Sequence, residues 1–347
     1  MRLEIELIRA RLRAPFVSAR GSLEDRPLVL VRAEDDDGFV GLGEAAPLAD
    51  YHGVNAEDVL DALQAARDIL AGPPHGGLPD DRLSEWRRMA VVPAVAAVDM
   101  ALWDLEGRRS GEPLWQLLGA RAAPPVEVNY TIAAADRAGA AAEAGAARAA
   151  GFRCVKLKVG LGDDAGRVAA VRAVLGPEVA IRLDANGAWT VDEAVAALSV
   201  LAPAGIELCE EAVHGLEQTR DVAAAVPDVA LALDETASGA EALEDQVCQA
   251  VCLKVAAFGG ITGLIDAARQ ARAAGYEVYL ASTLDGPLGI AAALHAAAAI
   301  RPDHPCGLST LGLFADREDP LPPRGGRIEV PPGAGLGDGM ADWYRQI

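Results

Sequence analysis

The sequence predicts an α/β protein, a (β/α)8-type barrel with an N-terminal α+β capping domain. Three observations carry that prediction. From about Val126 to Thr310, eight short β-branched runs alternate with alanine-rich helical stretches, about two dozen residues apart: VEVNYT, CVKLKV, VAIRLD, IELCE, ALALD, VCLK, EVYLAS and CGLST. That rhythm suits a parallel barrel and not an all-β fold. Before about Leu118 the texture differs, with strand runs first and helices after. The length of 347 residues is enough for a barrel with an appended domain and a sizeable core.

Taken in order, LEIELIRARLR and PLVLVRAEDDDGFVGLGEA read as strands, and the acidic turn Asp35–Gly38 between apolar alternating runs signals a hairpin. Ala56–Ala71 and Pro93–Gly107 read as helices. The expected boundaries are 1–122 for the cap, 123–314 for the barrel, and a Pro- and Gly-rich segment, 315–347, that returns to the cap. A hydrophobic fraction of 51% with 24% charged residues is that of a folded enzyme. The net charge of −20 argues against nucleic acid and anionic membranes as partners and leaves a small molecule. No apolar run reaches the ~20 residues of a membrane span. Five irregularly spaced cysteines (Cys154, Cys209, Cys248, Cys252, Cys306) suggest reduced thiols and a cytoplasmic setting.

Of 31 basic residues only three are lysine: Lys156, Lys158 and Lys254. Where arginine serves as the generic cation, a surviving lysine marks a place for an amine that can lose its proton. Lys156 and Lys158 are two apart on one strand, so both amines share a face, and Lys254 closes the sixth run. Asp184 closes the third run, Glu210 the fourth and Asp234 the fifth. Carboxylates at successive strand ends converge at the top of a barrel, where such folds build active sites. Three hard oxygen ligands suit Mg²⁺, with Mn²⁺ as a substitute. A carboxylate substrate bound there would have its α-proton acidified, because a divalent cation stabilises the resulting enediolate. A lysine of ordinary pKa ~10.4 becomes a base near neutrality when a second cation lies beside it, as Lys156 and the metal would beside Lys158.

The residues KLK, LDANGAW, CEE, LDE and LK…GG on runs two to six resemble the enolase superfamily in its muconate lactonizing enzyme subgroup. GLGEAAPL and AVAAVDMALWDLEGRRSGEPLWQLLG are similar to that family's capping domain, so the resemblance spans the chain. It implies Asp184, Glu210 and Asp234 as Mg²⁺ ligands, Lys158 as principal acid/base, Lys156 as its electrostatic partner and Lys254 as the lysine on the opposite face. The seventh run lacks the histidine of the mandelate racemase branch. The family often has proline two residues after the fourth-strand ligand, and this chain has Ala212; strand alternation lets only one of Glu210 and Glu211 face inward, and Glu210 is preferred. Asn186, Glu211 and Glu235 are expected behind the ligands.

The family reads its substrate with two capping loops, which here supply Ser18, Arg20, Tyr51 and His52, and with the ends of strands seven and eight, here Ser282, Thr283, Leu284 and Asp285. Asp285 has a rival reading as a helix N-cap. His75, His214, His295 and His304 show no pairing pattern and read as structural. HPCGLSTLGLFADREDPL resembles the same region of o-succinylbenzoate synthases, which dehydrate a cyclohexadiene carboxylate in menaquinone synthesis, and the Asp-x-Asp signature of dipeptide epimerases is absent. The expectation is therefore a small-molecule carboxylate substrate and o-succinylbenzoate synthase-type dehydration. Racemisation of N-succinyl amino acids, dipeptide epimerisation and muconate cycloisomerisation follow as alternatives, and assembly into a homo-oligomer is left open. A Schiff-base lyase using Lys254 would leave the carboxylates idle, and a non-catalytic barrel would show decay at one of the six site positions; none is decayed.

Overall fold

The computed structural model describes residues 1–71, 79–239 and 241–345. At the N-terminus β1 (Arg2–Ser18), β2 (Gly21–Glu34) and β3 (Val40–Ala45) form an antiparallel sheet in the order β1-β2-β3. The β2–β3 turn closes on Asp35, whose carboxylate accepts the N–H groups of Asp37 and Phe39 at 3.0 and 2.9 Å. Apolar side chains from one face of this sheet meet those of the helices Ala56–Ala71 and Val92–Ser110 in a core of their own. The sheet and the second helix nearly touch. A Cβ at Gly43 would come within 2.0 Å of the Ala97 carbonyl oxygen, so only glycine permits the approach.

The first barrel run splits in two. β4 (Val126–Glu127) turns aside, and β5 (Tyr130–Ile132) starts the barrel sheet. β6 (Cys154–Lys158), β7 (Ala180–Asp184), β8 (Ile206–Glu210), β9 (Leu231–Leu233), β10 (Ala250–Leu253) and β11 (Glu277–Leu280) follow, all parallel and neighbours in sequence order. The expected eighth strand is not a ladder. Residues 306–310 close the barrel through two single bridges, Val128↔Cys306 and Ala281↔Gly307. The Gly307 N–H donates to the Leu280 carbonyl at 2.7 Å and the Asn129 N–H to that of Cys306 at 3.0 Å. The C-terminal segment meets both parts: the Ala315 N–H donates to the Arg11 carbonyl of β1 at 2.8 Å, β12 (Arg327–Ile328) pairs with β4 at the barrel, and further on the Tyr344 hydroxyl reaches Glu44 of the cap. Among the described residues no helix is long and apolar enough to cross a membrane.

Cap, barrel and tail meet at a buried polar cluster. Arg26, wholly buried, donates to the carbonyls of Pro47 (2.5 Å), Ala46 (3.1 Å) and Leu284 (3.4 Å). Glu44 accepts the Gly286 N–H at 2.8 Å and a hydrogen bond from the Tyr344 hydroxyl. Burial, with Asp285 alongside, pushes the Glu44 carboxyl up to about 8. The folded chain thus keeps a proton that the unfolded chain releases near pH 4.5, so this group's contribution to stability declines as pH rises from there towards 8. Glu44→Gln is expected to gain on the wild type as pH is raised from 5 to 9. Parallel melting curves for the two proteins across that range would refute it.

Candidate active site

The strand register delivers the polar residues to one level. Lys158 lies opposite Asp184 across β6 and β7, and Asp184 opposite Glu210 across β7 and β8. Asp234 and Lys254 directly follow β9 and β10. One layer down, Lys156 lies opposite Arg182, whose guanidinium stacks on Tyr279 at 4.9 Å and donates to Glu207 at 2.5 Å.

The three amines are matched to the three carboxylates. The Lys156 Nζ lies 2.8 Å from Asp184 Oδ2 and 2.6 Å from Glu210 Oε1. The Lys158 Nζ lies 2.6 Å from Asp184 Oδ2 and donates to Asn186 Oδ1 at 2.8 Å. The Lys254 Nζ meets both Asp234 oxygens, at 2.6 and 2.7 Å. Tyr51 covers that pair: its hydroxyl donates to Asp234 Oδ1 at 2.6 Å and its ring centre lies 4.1 Å from Lys254 Nζ. Tyr279, which the sequence reading passed over, donates to Glu210 Oε2 at 2.7 Å. A tyrosine inside a strand carries no sequence signal that it faces a carboxylate across a barrel.

Burial alone would strip the protons from Lys156 and Lys254. Asp184 and Glu210 around the first, and Asp234 against the second, outweigh it and hold both amines above their ordinary range. Asp184 is also buried, which by itself would raise it, but Lys156 and Lys158 hold it well below the usual carboxylate range. Burial pushes Glu210 up, with Asp184 and Asp234 adding to the shift against Lys156.

That donor set fits a hard divalent cation. Oxygens of Glu210 and Asp234 lie within 4.8 Å of each other and of the Cys252 sulfur, while Asp184 is drawn aside by the two lysines. Burial and the adjoining Glu210 and Asp234 push the Cys252 thiol far up, so it stays neutral and the carboxylates remain the ligand candidates.

A cavity of about 130 Å³ opens above these groups, room for a small molecule. Ser18, Arg20 and Tyr51 line it from the cap, and Ser282, Thr283 and Leu284 from the barrel, together with Asn186 and Glu235. Phe16, Leu23, Leu48, Thr131, Gly307 and Thr310 also line it and were not singled out from the sequence. Asp285 is not among the residues that line it. It is 2% exposed, its carboxylate accepts from the Thr283 hydroxyl at 2.6 Å, and Gly286 holds the cap position of the next helix. Glu211 turns away from the cavity and accepts the N–H groups of Asp234 (2.7 Å) and Thr236 (3.0 Å), with the His214 ring at 2.9 Å. His214, read as structural, also meets Arg20 of the capping loop at 2.7 Å. His75 and the side chain of His52 lie outside the described residues.

Comparison with known proteins agrees over the whole chain. The model of the mandelate racemase / muconate lactonizing enzyme N-terminal domain matches residues 3–119, and that of the enolase C-terminal domain-like family matches 139–342. The L-Ala-D/L-Glu epimerase of Bacillus subtilis is 32% identical over 87% of this chain and 85% of its own. The N-succinyl-L-Arg/Lys racemase of Bacillus cereus is 29% identical over 85% and 83%, and its crystal structure superposes with a TM-score of 0.90 over 99% of this chain and 96% of that one at 26% identity. The dipeptide epimerase of Cytophaga hutchinsonii, complexed with Mg and D-Ala-L-Val, superposes with a TM-score of 0.86 over 98% and 97% at 26% identity. These relatives back the racemase and epimerase alternatives better than the dehydration expected from the closing run. From its cap to its strand-end lysines and carboxylates, this chain belongs to the enolase superfamily, in the muconate lactonizing enzyme subgroup.

Proposed function

We propose that the protein removes the proton α to a carboxylate and returns one to the same carbon, racemising an N-acylated amino acid such as an N-succinyl amino acid. The observation that carries this reading is the placement of Lys158 and Lys254. They close the second and sixth of eight barrel staves, and so stand on opposite sides of one cavity. A planar intermediate held between them would be open to a base on either face. The wall formed by Ala281, Ser282, Thr283, Leu284, Gly307 and Thr310 is uncharged. A free α-ammonium would find no counter-charge there, which ranks dipeptides below N-acyl substrates.

Asp184, Glu210 and Asp234 would hold Mg²⁺, whose charge, when bound, stabilises the enediolate oxygens. Lys158 takes the proton from one face, its amine steadied by Asn186. Lys254 delivers a proton to the other face. Lys156, wedged between Asp184 and Glu210, keeps those carboxylates apart and paired. Phe16, Leu23 and Leu48 of the cap shield the cavity from water. The buried, unpaired thiols of all five cysteines fit a cytoplasmic enzyme.

One observation favours a second reading, o-succinylbenzoate synthase-type dehydration. Lys254 is bound by both oxygens of Asp234 and covered by Tyr51, the setting of a fixed ammonium. Lys158 alone would then remove the α-proton and pass it to the departing hydroxyl. Deuterium uptake at the α-carbon of N-succinyl amino acids, run beside loss of the cyclohexadiene absorbance of the synthase substrate, separates the two. Uptake with inversion is expected, with loss on chelation and recovery on adding Mg²⁺. Absence of uptake alongside rapid diene loss would replace the first reading with the second, and turnover unaffected by chelator would remove the metal from both.

A further inference from the structure

We propose that closure of the capping loop is transmitted to the base: Arg20, through Glu235 and Asn186, sets where the amine of Lys158 stands, which makes Glu235 a positioning residue. The inference rests on the assignment of Lys158 as the base. Arg20 belongs to the turn between β1 and β2 that overhangs the cavity. Its Nε lies 3.3 Å from Glu235 Oε1. The same oxygen accepts the Asn186 amide at 3.0 Å, and the carbonyl oxygen of that amide accepts from Lys158 Nζ at 2.8 Å. A continuous polar chain therefore runs from the cap to the reacting amine.

Two features show that this chain is more than a lid contact. Asn186 stands at φ 46°, a left-handed backbone that a residue with a Cβ adopts at a cost, and that conformation presents its amide to both neighbours. The Glu235 side chain is only 6% exposed, yet its second oxygen has no hydrogen-bond partner among the described residues. A half-satisfied, enclosed carboxylate is a poor stabiliser, and its place beside the base suits a functional constraint. On the outer side Arg20 is held by the His214 ring at 2.7 Å, itself held by Glu211 at 2.9 Å. The guanidinium is thus fixed at both ends when the turn is down. When the turn lifts, Glu235 loses a charged partner and Asn186 loses its fixed acceptor. Lys158 then keeps only Asp184.

Because the chain has three lysines, each at the site, protein labelled with ζ-¹⁵N lysine gives three amine signals, assignable from one alanine variant at each. Arg20→Ala is expected to shift or broaden the Lys158 signal and leave that of Lys254 in place. Glu235→Ala should move the Lys158 signal the same way, and the double variant should add nothing. An unmoved Lys158 signal in Arg20→Ala would overturn the proposal, as would equal changes at all three amines. With N-succinyl amino acids in D₂O, the enantiomer whose exchange is lost in Lys158→Ala should exchange about tenfold to a hundredfold more slowly in Arg20→Ala, the penalty of small misplacement. The other enantiomer, which senses only the lost cavity contact, should slow much less, and equal slowing of both would count against the coupling. Failure of the wild type to exchange either enantiomer would dispose of the racemase reading, and the amine spectra would still decide whether the loop and Lys158 are linked.

Discussion

Lys158→Ala is expected to abolish α-proton exchange for one enantiomer of an N-succinyl amino acid while sparing it for the other, and Lys254→Ala to do the reverse. Loss of a general base costs about 10²–10⁴ in rate. Racemisation needs both lysines, so either substitution stops inversion outright, but each remaining amine still faces one side of the substrate. The geometry makes the outcome asymmetric. Lys158 carries Asp184 and a neutral amide, whereas Lys254 carries both oxygens of Asp234 and an aromatic face. If Lys254 serves only as a fixed ammonium, Lys158→Ala eliminates exchange of both enantiomers and Lys254→Ala weakens binding instead. Enantiomer-resolved deuterium uptake followed by NMR reads the difference directly. The two-base assignment is sunk if Lys254→Ala leaves both enantiomers exchanging at the wild-type rate.

What the sequence could disclose about this site follows from the period of a strand. Lys156 and Lys158 share a face because they are two apart. Asp184 and Glu210 end their strands on one level because β7 and β8, after a one-residue shift past Ile181, pair in step from Arg182 to Asp184. The same alternation separates Glu210, inside, from Glu211, which supports the backbone of Asp234 from behind. Alternation stops where the strand stops. Asp285 follows β11 by five residues, past Leu284 at φ 59°, and no periodic rule says which way it turns. The split of the first run and the bridging form of the eighth reflect pairing with β12 and with β11, partners distant in the chain. Arg26, Glu44 and Tyr344 come from three separate segments, and nothing local to any one of them announces the cluster. Function was least legible of all, since the closing run pointed to a synthase while relatives over most of the chain are racemases, epimerases and cycloisomerases. A short segment beside the cavity records only part of what the cavity holds.

Asp184→Asn should have the largest effect on stability of any single exchange at the site. The carboxylate is 1% exposed and neutralises two buried ammonium groups. Lys156 would retain Glu210, but Lys158 would be left with the Asn186 carbonyl alone. Breaking a buried ion pair by removing one partner costs about 3–5 kcal/mol, because the remaining charge stays out of water. The pH dependence has a definite sign. In the folded chain the two lysines hold this carboxyl well below its ordinary value of 3.8. Its stabilising contribution is therefore complete above that pH and is lost as pH falls through 3.8 and below. The gap between wild type and Asp184→Asn should be widest near neutrality and close in acid. Urea unfolding at pH 7 and pH 3 measures it. Mg²⁺ should raise the melting temperature of the wild type and not that of the variant, because a ligand stabilises only the state that binds it. A variant as stable as the wild type at pH 7 would mean that the lysines find other counter-charges, and an undiminished Mg²⁺ response would remove Asp184 from the ligand set.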